Sequence, residues 1–395
     1  MILTHKSSTT VIRTDHLETA LTAASYIDPR NGKLYPLDVP RWCSDERAPL
    51  LVTPGAGLSR DDIDGRARSL WRYRAALPVE IANPITLGEG CTPLVQQSWG
   101  VLRPSFKLEW FNPTGSFKDR GSSVMLSFLR QIGIDAVLED SSGNGGSSVA
   151  GLGAAGGMRV KILAPASTSP AKIAQVRAYG AEVQLVAGPR EEAEAEAIRQ
   201  SSEMFYASHN WHPLFLEGTK SFAYELWEDL GFRAPDNVIV PVGAGSGLLG
   251  CAFAFRELMK AGQIATLPRL FAAQPLNCSP IDATFRAGAD TPVPRDVHKT
   301  IAEGTAIKHP MRLREIIGAL RESGGGTIAL TEEEILAALR RLARQGLFVE
   351  PTSASAAAAL DKLFGAGTIK ARENTVVILT GTGLKAASTV ADLVA

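Results

Sequence analysis

Beyond about residue 80, apolar and polar positions along the 395-residue chain alternate between two kinds of pattern. Short runs at 136–138, 160–163, 182–186, 238–242, 269–273 and 376–379 have strand length and predict short buried strands. Between them, helical patterns cover 170–179, 191–202, 248–260 and 332–345. The last opens with Thr331-Glu-Glu-Glu334, where a threonine hydroxyl and a glutamate side chain can satisfy free backbone amides reciprocally. Gly346 suits its C-terminal end. The alanine run at 356–359 reads as helix. Alternation of this kind predicts an α/β fold with mostly parallel sheets flanked by helices. Residues 1–80 are irregular and proline-dotted, with one polar helix near 60–75. They read as an N-terminal extension wrapped on a body that spans 81–395.

Composition narrows the function classes. Lys and Arg number 41, Asp and Glu 41, so the formal net charge is zero. A balanced chain has no general attraction to nucleic acid or to an anionic membrane. Hydrophobic residues at 45% and charged residues at 21% are ordinary for a globular protein. The four cysteines, at 43, 91, 251 and 278, lack the close spacing of a zinc or redox pair. That predicts reduced thiols, a cytoplasmic setting and no metal site, with Cys91 a small buried residue. The N-terminus has no apolar signal core. Two 18-residue stretches, 141–158 and 238–255, lack charge, but their glycines, serines and Pro241 read as loops running into buried helices.

Ligands of open α/β sheets bind beyond the carboxyl ends of strands. After the strand at 238–242 comes Gly243-Ala-Gly-Ser-Gly247 and a helix, a cradle for phosphate on backbone amides and a helix N-terminus. It lacks the lysine of a P-loop. Its GxGxxG match at 245, 247 and 250 does not make a dinucleotide site, because the next strand is followed by Gln274 rather than an acid. After the strand at 136–138 comes a loop rich in Ser, Gly and Asn at 141–148, able to receive a carboxylate on its amides. Thr380 follows the last strand. Lys118, just inside a helix and close to Arg120 in sequence, is expected to have a lowered pKa, as an amine that attacks carbonyls needs. Each of these segments alone could be an ordinary polar turn.

Together they carry a resemblance. NPTGSFKDRG at 112–121 resembles the lysine motif of pyridoxal-phosphate enzymes of fold type II, the tryptophan-synthase β superfamily, and is most similar to that of threonine synthase. LGEGCTPL at 87–94, LEGTK at 216–220 and TGTGLK at 380–385 follow in the family's order. The resemblance implies two mostly parallel sheets, with a smaller mobile subdomain at about 129–228, and a homodimer. It implies pyridoxal 5'-phosphate as cofactor, bound as a Schiff base by Lys118. Phe117 would lie along the ring and Asn144 would meet the phenolic oxygen. Gly243, Ala244, Gly245, Ser246 and Gly247 would hold the phosphate, and Thr380 the pyridine nitrogen. Ser142, Gly143, Gly145, Gly146 and Ser147 would take the substrate carboxylate.

Three departures bear on substrate. The asparagine loop reads SGNGGS, nearer to serine/threonine dehydratases. The phosphate loop has Ala244 and Ser246 where threonine synthases have asparagines. Phe215 stands where an arginine commonly helps to hold the substrate phosphate. The resemblance therefore implies a lyase making threonine from O-phosphohomoserine or a related γ-activated amino acid. A β-elimination or β-replacement enzyme is the alternative, and a non-catalytic amino-acid-binding member a remote one.

Overall fold

A computed structural model of the chain describes residues 24–168 and 170–394. The N-terminal part forms a small antiparallel sheet of β1 (Ser25–Ile27), β2 (Leu34–Pro36) and β3 (Leu51–Val52), in the order β2-β1-β3. The helix expected near 60–75 is replaced by two short 3-10 turns, Arg60–Asp62 and Leu70–Ala76. The cause is local. The Asp62 carboxylate accepts bonds from the amide and hydroxyl of Ser59, and Asp64 accepts the Arg66 amide. Such short-range bonds compete with helix formation.

Next come β4 (Leu94–Gln96), β5 (Ser105–Leu108) and α1 (Lys118–Gln131). A run of alternating elements follows: β6 (Ala136–Glu139), α2 (Asn144–Ala155), β7 (Arg159–Pro165), α3 (Pro170–Ala178), β8 (Glu182–Val186), α4 (Arg190–Gln200) and β9 (Phe205–Tyr206). Its strands form a parallel sheet in the order β8-β7-β6-β9. The chain then returns through α5 (Pro213–Asp229), β10 (Asn237–Pro241), α6 (Ser246–Lys260), β11 (Arg269–Pro275) and α7 (Pro280–Arg286). It ends with α8 (Leu313–Glu322), β12 (Gly326–Leu330), α9 (Glu332–Arg344), α10 (Pro351–Gly365), β13 (Thr375–Leu379) and α11 (Ala387–Val394). The second sheet has the order β12-β11-β10-β13-β5-β4, parallel except for the antiparallel edge strand β4.

Alternating side chains of this sheet feed two cores. Val238, Val240, Val376 and Ile378 pack against α5, α6 and α8. Ile239, Val377 and Leu379 pack on the other face, against α9 and α10. Strands buried on both faces read as continuous apolar runs, which is why the sequence showed them. A third core joins α1, α2 and the smaller parallel sheet to the N-terminal strands. The uncharged stretches are accounted for by α2 and by β10, its loop and α6. Among the described residues no helix is long and apolar enough to cross a membrane. The four cysteines are free. Cys91 is exposed rather than buried, on a left-handed turn (φ 49°), and partial burial raises its thiol pKa.

Candidate active site

Parallel strands point their carboxyl ends to one side, and three motif loops leave the larger sheet there. The loop after β5 leads to Lys118, the loop after β10 carries 243–247, and β13 runs into Thr380. Backbone bonds knit two of them together: the Phe117 amide donates to the Thr380 carbonyl (3.1 Å) and the Thr382 amide to the Gly115 carbonyl (3.1 Å). The third is joined by side chains, with Lys118 Nζ 3.3 Å from Ser246 Oγ. Gly245 lies in the left-handed region (φ 92°), and a side chain there would run into Ile316. That turn opens α6 towards the lysine. Ala244 belongs to the same loop, and Gly247 leaves room for Phe117, whose ring would stand 3.4 Å from a Cβ at that position.

Lys118 Nζ lies 5.0 Å from the centre of the Phe117 ring and 5.4 Å from that of Phe215. Burial lowers the lysine pKa to about 7, with Glu139 and Glu350 opposing the shift and Arg190 adding to it. The cause differs from the sequence expectation. Arg120 faces away, into a buried network in which it bonds Glu109 (2.8 Å) and Glu225 (2.9 Å). The lysine is therefore depressed by desolvation and not by Arg120.

Asn144 opens α2 on the smaller sheet and reaches across. Its Nδ2 donates to both carboxylate oxygens of Glu350 at 3.1 Å. Glu350 in turn accepts a long bond from Thr380 Oγ1 (3.4 Å), and Ser353 Oγ lies 3.0 Å from the same hydroxyl. A Cβ on Gly381 would lie 2.5 Å from the Glu350 carboxylate and would push that side chain from its present place. The turn at 142–147 folds tightly onto itself, with the Ser147 amide bonded to the Gly143 carbonyl at 3.0 Å. Gly145 packs on the His209 ring, and Gly146 on the Ser141 carbonyl. No side-chain bond joins Ser142 or Ser147 to Lys118.

Sequence reasoning missed Glu139, Arg190, His209, Glu350 and Ser353. Glu139 had a signal: it is the one charge in the strand sequence AVLE. Glu350 had another, standing directly before the proline that opens α10. The rest come together only through the fold.

The family model described as "Pyridoxal-phosphate dependent enzyme" matches residues 85–381. The chain belongs to this family. It is similar to the threonine synthase of Methanosarcina acetivorans, 36% identical over 334 residues covering 82% of both chains. The threonine synthase of Methanocaldococcus jannaschii is 36% identical over 338 residues, 83% of each chain. Among solved structures, the processed form of threonine deaminase isoform 2 from Solanum lycopersicum shares the fold, with TM-score 0.65 and 24% identity over 86% of this chain and 95% of that one. The site fits the family's cofactor. A buried lysine with a pKa of about 7 can offer a neutral amine. A glycine turn at a helix N-terminus suits a phosphate, and the buried Thr380 hydroxyl and Asn144 amide are groups able to meet a polar ring edge. The protein is thus a pyridoxal-phosphate dependent enzyme of threonine-synthase-like type.

Proposed function

We propose that this enzyme is a lyase that converts O-phosphohomoserine, or a related γ-activated amino acid, to threonine. The observation that carries this reading is the similarity to threonine synthases over four fifths of the chain, with the lysine, glycine-loop and threonine motifs joined in one cleft. Pyridoxal phosphate bound here supplies a carbonyl for the amino group and a conjugated ring that accepts electrons as bonds at the α-carbon break. Lys118 would hold it covalently and would move protons at the substrate carbons. Phe117 would lie along the ring, Asn144 would donate to its phenolic oxygen, and Thr380 would offer a neutral hydroxyl to its nitrogen. Backbone amides of 243–247 would hold its phosphate, and those of 142–147 would take the substrate carboxylate. Loss of the α- and β-protons allows the γ C–O bond to break and release phosphate; a proton then adds at the γ-carbon, and water adds its hydroxyl at the β-carbon while a proton returns to the α-carbon.

The substrate phosphate needs a cation. Arg190, at the start of α4, is close enough for its charge to act on Lys118, Glu139 and His209. An ion pair of the next residue, Glu191, with Lys308 at 3.2 Å ties this helix end to the segment beside the glycine loop. Closure of residues 129–228 on substrate, a homodimer and a cytoplasmic location belong to the same proposal.

One observation favours a second reading, a serine/threonine dehydratase-like β-elimination. Phe215 is fully buried, and its ring packs against Gly121 at the lysine helix, so no guanidinium stands there. The experiment is to supply O-phosphohomoserine to the cofactor-loaded protein and measure phosphate and threonine together. Equal amounts of both are expected. No phosphate, with a 2-oxo acid formed from serine or threonine, would establish the second reading instead.

A further inference from the structure

Glu139 ends an otherwise apolar strand and is fully buried. Its Oε2 accepts the backbone N–H of His209 at 2.8 Å, and its Oε1 lies 2.9 Å from His209 Nδ1. Burial keeps His209 well below the ordinary imidazole range, so the ring is neutral and Nδ1–H donates to the carboxylate. The same ring supports the first turn of α2, where a Cβ on Gly145 would lie 2.6 Å from it. It meets Phe215 edge to face, with ring centres 5.7 Å apart, and Phe215 faces the Lys118 amine at 5.4 Å. A carboxylate held by two bonds therefore stands behind the His209 and Phe215 rings, the second of which faces the lysine.

We propose that Glu139, oriented by His209, is a positioning residue that acts as the counter-charge of Lys118 and favours the protonated form of the lysine nitrogen in the cofactor-loaded enzyme. The proposal rests on the cofactor reading of the site and is independent of which amino acid is the substrate.

The surrounding charges agree with it. On the lysine, Glu139 is the largest attractive charge; Glu350, at the start of α10, is a weaker one, and Arg190, from α4, opposes both. On Glu139 itself burial raises the pKa to about 7, while the His209 amide, Lys118 and Arg190 pull it down. Its neighbour Asp140 is raised by burial and by Glu139, and is held by Tyr206 (2.7 Å) and Ser208 (3.2 Å). Lys118 and Glu139 thus both titrate near neutrality, where a change in one charge is felt by the other.

The test is a pH titration of the visible absorption band of the holoenzyme. An anion near the lysine nitrogen favours its protonated form, so removing the anion lowers the midpoint. Glu139→Gln keeps the size of the side chain and an acceptor for the His209 amide but loses the charge. Its midpoint should fall by about one pH unit, a tenfold change in the proton equilibrium. Glu139→Asp, which keeps the charge, should fall less. If Glu139→Gln does not fold or load, His209→Ala decides the matter: it removes the side-chain bond to the carboxylate while the backbone bond remains, so the anion is less favoured and the midpoint should move in the same direction. Loaded variants whose bands follow pH as wild type does would overturn the proposal. A wild-type protein that takes up no cofactor would instead refute the underlying site assignment.

Discussion

Lys118 shows what one residue gains from its surroundings. A surface lysine keeps its proton at neutral pH and cannot attack a carbonyl. Burial lowers the pKa of this one from 10.5 to about 7. The shift has a consequence for stability. Below about pH 7 the folded apoprotein must hold a buried ammonium, a cost that the unfolded chain escapes. Between about 7 and 10.5 the unfolded chain binds more protons than the folded one, so stability rises with pH across that window. Apoprotein compared with Lys118→Met should therefore gain relative stability between roughly pH 6 and roughly pH 9. Thermal midpoints of the two apoproteins check this, and a constant difference would remove the depressed lysine from the account. Sequence alone singled out this residue, because its flanking motif is long and specific. The cause of its shift was not legible. Arg120 is two positions away in sequence, yet its guanidinium lies in another network, because two residues of helix, about half a turn, aim the two side chains at opposite faces.

That network is the device holding the elements behind the lysine. Arg120 from α1, Lys107 from β5 and Glu225 from α5 meet out of contact with solvent, with Glu109 completing the set. Lys107 Nζ lies 2.6 Å from Glu225, which also accepts bonds from Arg120, from the Thr92 hydroxyl and from the amides of Cys91 (2.7 Å) and Thr92 (2.8 Å). These cations hold the Glu225 carboxyl far below the usual carboxylate range despite its burial. Removing one partner of such a set leaves charges uncompensated in the interior. Glu225→Ala should destabilise the fold by about 3–5 kcal/mol, measured as a fall in the denaturant midpoint. A loss near that of a surface ion pair, about 0–1 kcal/mol, would show that the network contributes little. Six strands of the two parallel sheets, β6, β7, β8, β10, β11 and β13, were legible as apolar runs, whereas β5, β9 and β12 of the same sheets were not. The capping box at Thr331 was legible from its local sequence, and forms as expected. The 60–75 segment was not, because its aspartates bond their own backbone at short range. Neither the edge strand β4 nor the N-terminal sheet stood out, since strands of two or three residues carry no period.

Across the whole molecule, the two parallel sheets meet at the site. The larger sheet supplies Lys118, the glycine loop and Thr380, and the smaller one supplies Asn144, with the Asn144–Glu350 bond spanning the gap. Four motifs spread over nearly 270 positions were visible in sequence; the carboxylates between them, Glu139 and Glu350, were not, because the fold alone gives them their partners. A second lysine makes the assignment testable. Lys385, in the TGTGLK segment, is also depressed by burial, and its Nζ has no hydrogen-bond partner. Its Cε would come within 3.3 Å of a Cβ on Gly115, three residues from Lys118. The decisive measurement is borohydride reduction of the cofactor-loaded protein followed by peptide mass mapping. The account predicts a pyridoxyl group on Lys118 alone. A label on Lys385, or none on Lys118, would contradict it.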